Sequence, residues 1–389
     1  MLPFKTFFIG GYECADMVNN TGNRVNLLQA TFHDTRIDED YRLLTEAGIR
    51  TVREGIVWSN VETVPYQYNF SEVTARIRAA QKWGVQQLWD ICHFGYATDL
   101  VPGHPQFSHR FAALCTAFVK HFRTLSDDAF IFCPINEMSF ISWLGGDMRG
   151  TVPFAVNSGW DVKYHLAKAA IAGIQAVREI EPAAQVMLVE PMIKIHPRPE
   201  EPDLAGIRGH NEAQFQAMDL VTGRLHPELG GKPEYMNYAG FNYYYNNQWV
   251  HCSHTLDWKA QPYEGTPFSQ LIATAYERYG VPVVLSETGH FKEDRSLWMN
   301  MITDECIKAL KAGVDLRGIC IYPVLDRPDW DYMDKYITCG IWGYRPDGTR
   351  TVEQSYLDTV KACAARTDAF LAQRSGVPSP ITFTQKASV

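Results

Sequence analysis

The sequence predicts a single (β/α)8 barrel, and three observations carry that prediction. Eight short apolar runs alternate with eight helical patterns along the 389 residues. Connections from helix to strand are only a few residues long. Several from strand to helix are long, at 13–36, 138–160, 191–209, 245–266 and 325–350, as expected when one barrel end carries the binding loops. Finally, no Gly-x-Gly-x-x-Gly follows the first apolar run, which disfavours a doubly wound open sheet.

The units follow in order. Strand Thr6–Tyr12 leads to helix Asp38–Ala47, Ile49–Arg53 to Ser71–Trp83, and Gln86–His93 to His109–Leu125. Ala129–Asn136 leads to Val162–Ile180, Gln185–Glu190 to Asn211–Thr222, and Tyr238–Tyr244 to Phe268–Tyr279. Pro282–Glu287 with Ser296–Ala312 and Leu316–Val324 with Val352–Ala372 complete the set. The strands read as continuous apolar runs because a parallel barrel covers both their faces. Gly48, Gly84, Gly280 and Gly313 stand where left-handed helix C-caps belong. No linker or low-complexity stretch divides the chain, so residues 1–372 form one catalytic barrel. Residues 373–389, rich in Ser, Pro and Thr, read as a poorly ordered tail.

Composition excludes several partners. The net charge of −8 argues against nucleic acid or an anionic membrane. No apolar run reaches the length of a membrane span. Phe7–Gly11 is too short for a signal-peptide core and reads as the first strand, so a cytoplasmic location is expected. The nine cysteines agree with a reducing compartment: Cys92, Cys133 and Cys320 fall inside core strands, and none has zinc-ribbon spacing. The loop residues His251, His254 and Asp257 match no standard metal site. No metal or other cofactor is expected, and the sequence leaves monomer and homo-oligomer both open.

Two stretches carry the chemistry. Phe132–Glu137 and Val283–Gly289 are buried-strand patterns that run onto a carboxylate, at Glu137 and at Glu287. Leaving a carboxylate unpaired at the end of a buried strand is costly, so two of them suggest a shared site. Paired glutamates on strand ends suit acid/base and nucleophilic work on a glycosidic bond; two unrelated surface glutamates are the plainer alternative. Other polar residues gather at the same ends: Glu13, Arg53, His93, Asn136, Glu190, Asn242, Tyr244 and Tyr322. Alternation puts Asn242 and Tyr244 on one face, and likewise Val283, Leu285 and Glu287. It separates Asn136 from Glu137, so both reach one site only if the strand ends or bulges there.

At these positions the chain resembles glycoside hydrolase family 1 and, more broadly, the retaining (β/α)8 glycosidases grouped with it. Ile135-Asn136-Glu137-Met138-Ser139-Phe140, with Trp143 and Gly145, resembles the family's Asn-Glu-Pro segment, and Leu285-Ser286-Glu287-Thr288-Gly289 its Thr-Glu-Asn-Gly segment. Val52-Arg53 with Trp58-Ser59, Cys92-His93-Phe94, Gly240-Phe241-Asn242-Tyr243-Tyr244 and Leu325-Asp326-Arg327-Pro328-Asp329-Trp330 are similar to family segments in the same order. The resemblance spans roughly residues 7–345. It departs at Met138, Ser286 and Thr288, at Tyr322 where the family has a sugar-contacting Trp, and at Asp329, one methylene shorter than the family's Glu. These departures fit a divergent relative or a neighbouring family of the same clan.

The resemblance implies an exo-acting retaining β-glycosidase for a small glycoside or oligosaccharide. Glu287 is the expected nucleophile, kept ionised by Arg53 and aligned by the Tyr244 hydroxyl. An Arg53–Glu54 ion pair is the plainer reading of Arg53. Glu137 is the expected acid/base, its pKa raised by burial and by the neighbouring anion. Asn136 is expected to bond the sugar 2-hydroxyl, with His93, Glu13, Asp329 and Trp330 on other hydroxyls. Tyr322 is expected on the sugar floor with a cis Tyr322–Pro323 bond. Glu190 is expected to meet a second sugar or, alternatively, to pair with Lys194. Trp143, Trp160, Trp249 and Trp258 on the front loops are stacking candidates. A transglycosylase using the same residues and a catalytically dead carbohydrate-binding barrel are the competing functions. A metal-dependent barrel hydrolase would want His-x-His on strand one, where this chain has Gly-Tyr-Glu.

Overall fold

The computed structural model describes residues 3–198, 200 and 204–374. Eight parallel strands close into a barrel: β1 (Phe8–Gly11), β2 (Thr51–Gly55), β3 (Gln86–Cys92), β4 (Ile131–Ile135), β5 (Gln185–Pro191), β6 (Tyr238–Asn242), β7 (Val283–Thr288) and β8 (Leu316–Ile321). Each pairs with its chain neighbours, and β8 closes on β1 through Phe8↔Ile319 and Gly10↔Ile321. The tail from residue 375 onward lies outside the described residues.

Two hydrophobic layers hold this architecture. The barrel interior is a small cluster of Ile9, Leu88, Ile131, Cys133, Met187, Val189, Val284, Cys320 and neighbours. A larger layer lies between strands and helices. Helix Phe107–Arg123 shows why a helix forms and docks: Phe107, Phe111, Leu114, Phe118 and Phe122 recur at three- and four-residue intervals and are all buried. Truncating a side chain such as Phe118, which is 0% exposed, would cost about 3–5 kcal/mol. Gly84 and Gly280 take the left-handed C-cap conformation, with φ of 66° and 67°. Among the described residues, no helix is long and apolar enough to cross a membrane.

Two expectations change in detail. The helix expected over Asn211–Thr222 is two helices, Leu204–Ala213 and Gln216–Val221. In β7 the inward residue is Val284, whereas Val283 and Leu285 face the helices, so plain alternation would turn Glu287 outward with them. A register shift against β6 between Leu285 and Glu287 restores the aim, pairing Glu287 with Asn242. The strand-to-helix loops carry small hairpins and sheets, among them Asp16–Val18 with Arg24–Asn26 and Lys194–His196 with Gln248–Val250. They decorate the barrel end on which the polar residues gather.

Candidate active site

Arg53 is the hub. It points into the barrel from β2 and is 1% exposed, so its charge must be matched by neighbours. Its Nη1 lies 2.7 Å from Glu287 Oε1 and donates to the Ser286 carbonyl at 2.9 Å. Its Nε and Nη2 take the two oxygens of Asp90 at 3.0 and 2.9 Å, and Nη2 donates to Asn136 Oδ1 at 2.7 Å. The expected alternative partner, Glu54, faces the other side of β2 and bonds His33, Tyr41 and Arg76.

The two glutamates differ in their partners. Glu287 accepts from Arg53 and, on Oε2, from the Tyr244 hydroxyl at 2.9 Å. Burial, with Glu13 adding to it, outweighs the downward pull of Arg53, His93 and Tyr244, so its carboxyl lies above the ordinary value. Among the described residues no cation is bonded to Glu137; its Oε1 accepts from the neutral Asn242 amide at 2.8 Å. Burial and the charge of Glu287 raise it to about 8. With charged and phenolic donors on one and an amide on the other, Glu287 gives up the pair's first proton.

Strand β4 ends at Ile135, which brings both Asn136 and Glu137 to the site. The Asn136 amide donates to the Cys92 carbonyl at 2.9 Å, and the Glu137 amide to the Val189 carbonyl at 3.0 Å. Glu137 takes a left-handed φ of 47°, a conformation costing about 1–2 kcal/mol for a residue with a side chain. Ser286 Oγ donates to Asn242 Oδ1 at 2.7 Å, so the Asn242 nitrogen must face Glu137.

A second group of residues floors the site. Asp90 fixes His93 through Nδ1 at 2.9 Å. The other ring nitrogen faces the Tyr322 hydroxyl at 3.3 Å and the Asn136 amide at 3.4 Å. Burial opposes charge on His93, but Cys14 and Asp90 outweigh it and push its pKa up. The Tyr322–Pro323 bond is cis. The Tyr322 ring stacks on His93 at 5.6 Å, and its hydroxyl donates to Glu13 Oε1 at 3.3 Å. Gly11 permits this, because a Cβ there would collide with the Tyr322 ring. Glu13 Oε2 lies 3.5 Å from Arg327 Nε. Trp330 packs on Phe94 with ring centroids 5.4 Å apart, and its buried Nε1 has no partner among the described residues, a donor that an incoming hydroxyl can satisfy.

Two candidates sit differently from expectation. Asp329 uses Oδ1 to accept the amides of Asp331 and Tyr332 at 2.9 and 3.0 Å, closing its own turn. Glu190 does not face the mouth: it is 0% exposed, and its Oε2 accepts the Ser139 amide at 3.0 Å. The cation whose field acts on it is Lys163 rather than Lys194. Of the tryptophans, Trp143 and Trp160 are exposed, whereas Trp258 packs on Trp298 and His290.

Asp90 is the residue that sequence reasoning missed. It lies in Gln86–Cys92, a run otherwise free of charged residues. A carboxylate inside a buried strand was itself the signal, since it demands a buried cation. The grouping with metal-ligand spacing among the described residues is Cys14, Asp90 and His93, not His251, His254 and Asp257. Both Asp90 oxygens and His93 Nδ1 are already bonded, so this group does not fit a metal.

The fold and site thus define a (β/α)8 barrel with two unlike buried glutamates at its mouth. No family model and no curated protein matches the chain. Solved structures do. The β-glucosidase from Thermotoga maritima in complex with glucoimidazole superimposes with a TM-score of 0.77 at 15% identity, covering 95% of this chain and 99% of that one. The family 1 β-glucosidase from Thermotoga maritima in complex with isofagomine lactam gives 0.76 at 16%, covering 94% and 98%. The β-glycosidase BGL167 gives 0.69 at 18%, covering 92% and 89%. At such identities the likeness establishes the fold.

Proposed function

We propose that the protein is a retaining β-glycosidase, acting by double displacement on the terminal sugar of a small glycoside. The observation that carries this reading is the inequality of the two buried glutamates. Glu287 is bonded to Arg53 and Tyr244, whereas Glu137 is bonded to an amide and raised to about 8. In the first step an oxygen of ionised Glu287 attacks the anomeric carbon as the bond to the leaving oxygen breaks. Glu137 gives that oxygen its proton. In the second step Glu137 takes a proton from water, whose oxygen displaces Glu287 and restores both carboxyls. Asn136, oriented by Arg53, is assigned to the 2-hydroxyl, and His93, Glu13 and Trp330 to the remaining hydroxyls. The β-glucosidases that this chain resembles are bound to glucoimidazole and to isofagomine lactam, which supports a carbohydrate substrate. No cofactor enters these steps.

A panel of nitrophenyl glycosides, read by nitrophenol release and by NMR of the first-formed anomer, tests the proposal. Release with retained configuration, abolished in Glu287→Gln, is expected. An inverted product, or release undiminished in Glu287→Gln, overturns the reading.

A further inference from the structure

Beneath the acid/base lies a third carboxylate that the two-glutamate mechanism does not use. We propose that Glu190 is a positioning residue for Glu137, anchoring the helix that begins beside it and holding a negative charge behind it. This rests on the glycosidase reading above.

Glu137 immediately precedes the helix Met138–Gly146, whose first amides lack intrahelical partners. Two consecutive residues at the end of β5 hold this junction. The Val189 carbonyl accepts the Glu137 amide at 3.0 Å. The Glu190 carboxylate accepts the Ser139 amide, at 3.0 Å through Oε2 and 3.4 Å through Oε1. The left-handed Glu137 is therefore fastened on both sides of its Cα. A carboxylate in this place also complements the positive end of the helix. Glu190 shares the helix-facing side of β5 with Val186 and Leu188, opposite the inward Met187 and Val189, so it lies behind the mouth rather than against a sugar.

Charge adds a second effect. The groups that face Glu190 are Glu137 at the end of β4, Cys133 within β4, and Lys163 on the helix Gly159–Ile180. Lys163 is hydrogen-bonded to Gln216 at 2.9 Å and is also acted on by Asp147, so it only partly offsets the carboxylate. Glu137 additionally feels Glu287 and His93. Burial raises Glu190 to about 7. Glu190 accepts the Ser139 amide and has the field of Lys163 on it, whereas Glu137 accepts from a neutral amide. Glu190 therefore carries its charge more readily, and that charge opposes loss of the proton that Glu137 must donate. Removing that charge lowers the pKa of Glu137 and moves the basic limb of the pH profile to lower pH.

The test compares wild type, Glu190→Gln and Glu190→Ala on a dinitrophenyl and an alkyl glycoside of one sugar. Gln keeps an oxygen for the Ser139 amide without the charge; Ala keeps neither. Glu190→Ala is expected to lose on the order of 100-fold in kcat on the alkyl glycoside and under about 10-fold on the dinitrophenyl one. Glu190→Gln is expected to recover most of that loss at acid pH, with its basic limb at lower pH than wild type. Equal losses on both substrates, a rise in KM alone, or an unmoved limb in Glu190→Gln would overturn the proposal. Should circular dichroism show Glu190→Ala unfolded, the limb of Glu190→Gln decides. Carbon NMR titration of the glutamate carboxyls reads the same coupling without turnover. If wild type cleaves no glycoside, the glycosidase reading fails, while this titration still shows whether Glu190 holds the proton on Glu137.

Discussion

Arg53 Nη1 sits 2.7 Å from Glu287 Oε1, and the same guanidinium spans Asp90 and Asn136. One planar fork thereby acts on the charge of Glu287 and sets the orientation of the Asn136 amide next to Glu137. Lysine offers a point charge and cannot span these partners.

The first prediction follows from that fork. Arg53→Lys should lose roughly 100- to 1000-fold in kcat, the scale of removing one aimed donor from a charged site. Arg53→Gln should in addition raise the pKa of Glu287, because Arg53 pulls it down, so the acidic limb of the pH profile moves to higher pH. Each variant leaves buried carboxylates short of a partner, at a cost of about 3–5 kcal/mol in stability, readable by urea unfolding. Kinetics within a few-fold of wild type in Arg53→Lys would remove the guanidinium from the mechanism.

The second prediction separates the two glutamates. Glu287→Gln should silence every substrate, because an amide forms no glycosyl ester. Glu137→Gln should spare a dinitrophenyl leaving group far more than an alkoxide, which alone needs the proton. The pH profile of wild type should fall on its alkaline side as Glu137, near 8, deprotonates. Rates for the two leaving groups that fall in parallel in Glu137→Gln would assign the acid elsewhere.

The positions of the two glutamates were legible because they lie at strand ends, where an apolar run stops on a charge. The eight strands were legible for the same reason, since burial on both faces leaves uninterrupted apolar runs at Val283–Leu285 and Met187–Val189. That very burial hides phase. With both faces apolar, β7 carries no alternation to mark which residues point inward, and the shift before Glu287 leaves no trace in composition. Glu190 was legible as a strand-end carboxylate but not as a helix anchor. Its partner is a backbone amide, which every residue type but proline supplies. Arg53 was weighed against Glu54 because adjacency in sequence suggests pairing, yet neighbours on a strand face opposite sides.

The third prediction concerns stability away from the mouth. His33 lies between Asp40, 2.7 Å from Nδ1, and Glu54, 3.0 Å from Nε2, all three fully buried. Arg350 holds Asp40 at 2.5 and 2.6 Å. Arg76 and Tyr41 hold Glu54 at 3.0 and 2.6 Å, and Tyr12 stacks on the imidazole at 3.7 Å. Burial alone would lower the His33 pKa, but Glu54 and Asp40 outweigh it and raise it above 6.5. A raised folded pKa means the stabilisation is complete below about 6.5, the unfolded value, and is lost as pH climbs through the folded one. Urea midpoints of wild type should therefore decline above neutrality. His33→Gln, less stable by about 3–5 kcal/mol at pH 6, should decline less steeply, keeping only the part that comes from the raised carboxyls of Glu137 and Glu190. Parallel curves for the two proteins would show that His33 does not titrate with folding.

The fourth prediction isolates the amide that faces the acid/base. Ser286 Oγ donates to Asn242 Oδ1 at 2.7 Å, leaving the Asn242 nitrogen to donate to Glu137 Oε1 at 2.8 Å. That donation favours the ionised form of Glu137 and lowers its pKa. Ser286→Ala removes the constraint on the amide and leaves a buried carbonyl oxygen without its hydroxyl, a loss of about 1–3 kcal/mol. Once the amide is free to turn, its hold on the Glu137 anion weakens, so the basic limb should move to higher pH. This is opposite in sign to the shift expected of Glu190→Gln, although both residues lie behind the same carboxyl. Asn242→Asp should move the limb upward further, because a carboxylate added to those of Glu287 and Glu190 would repel the anion. Measuring kcat/KM against pH for all three variants on one alkyl glycoside checks the signs together. A downward shift in Ser286→Ala would mean that the amide supports the protonated acid, and the assignment of Asn242 as its donor would fall.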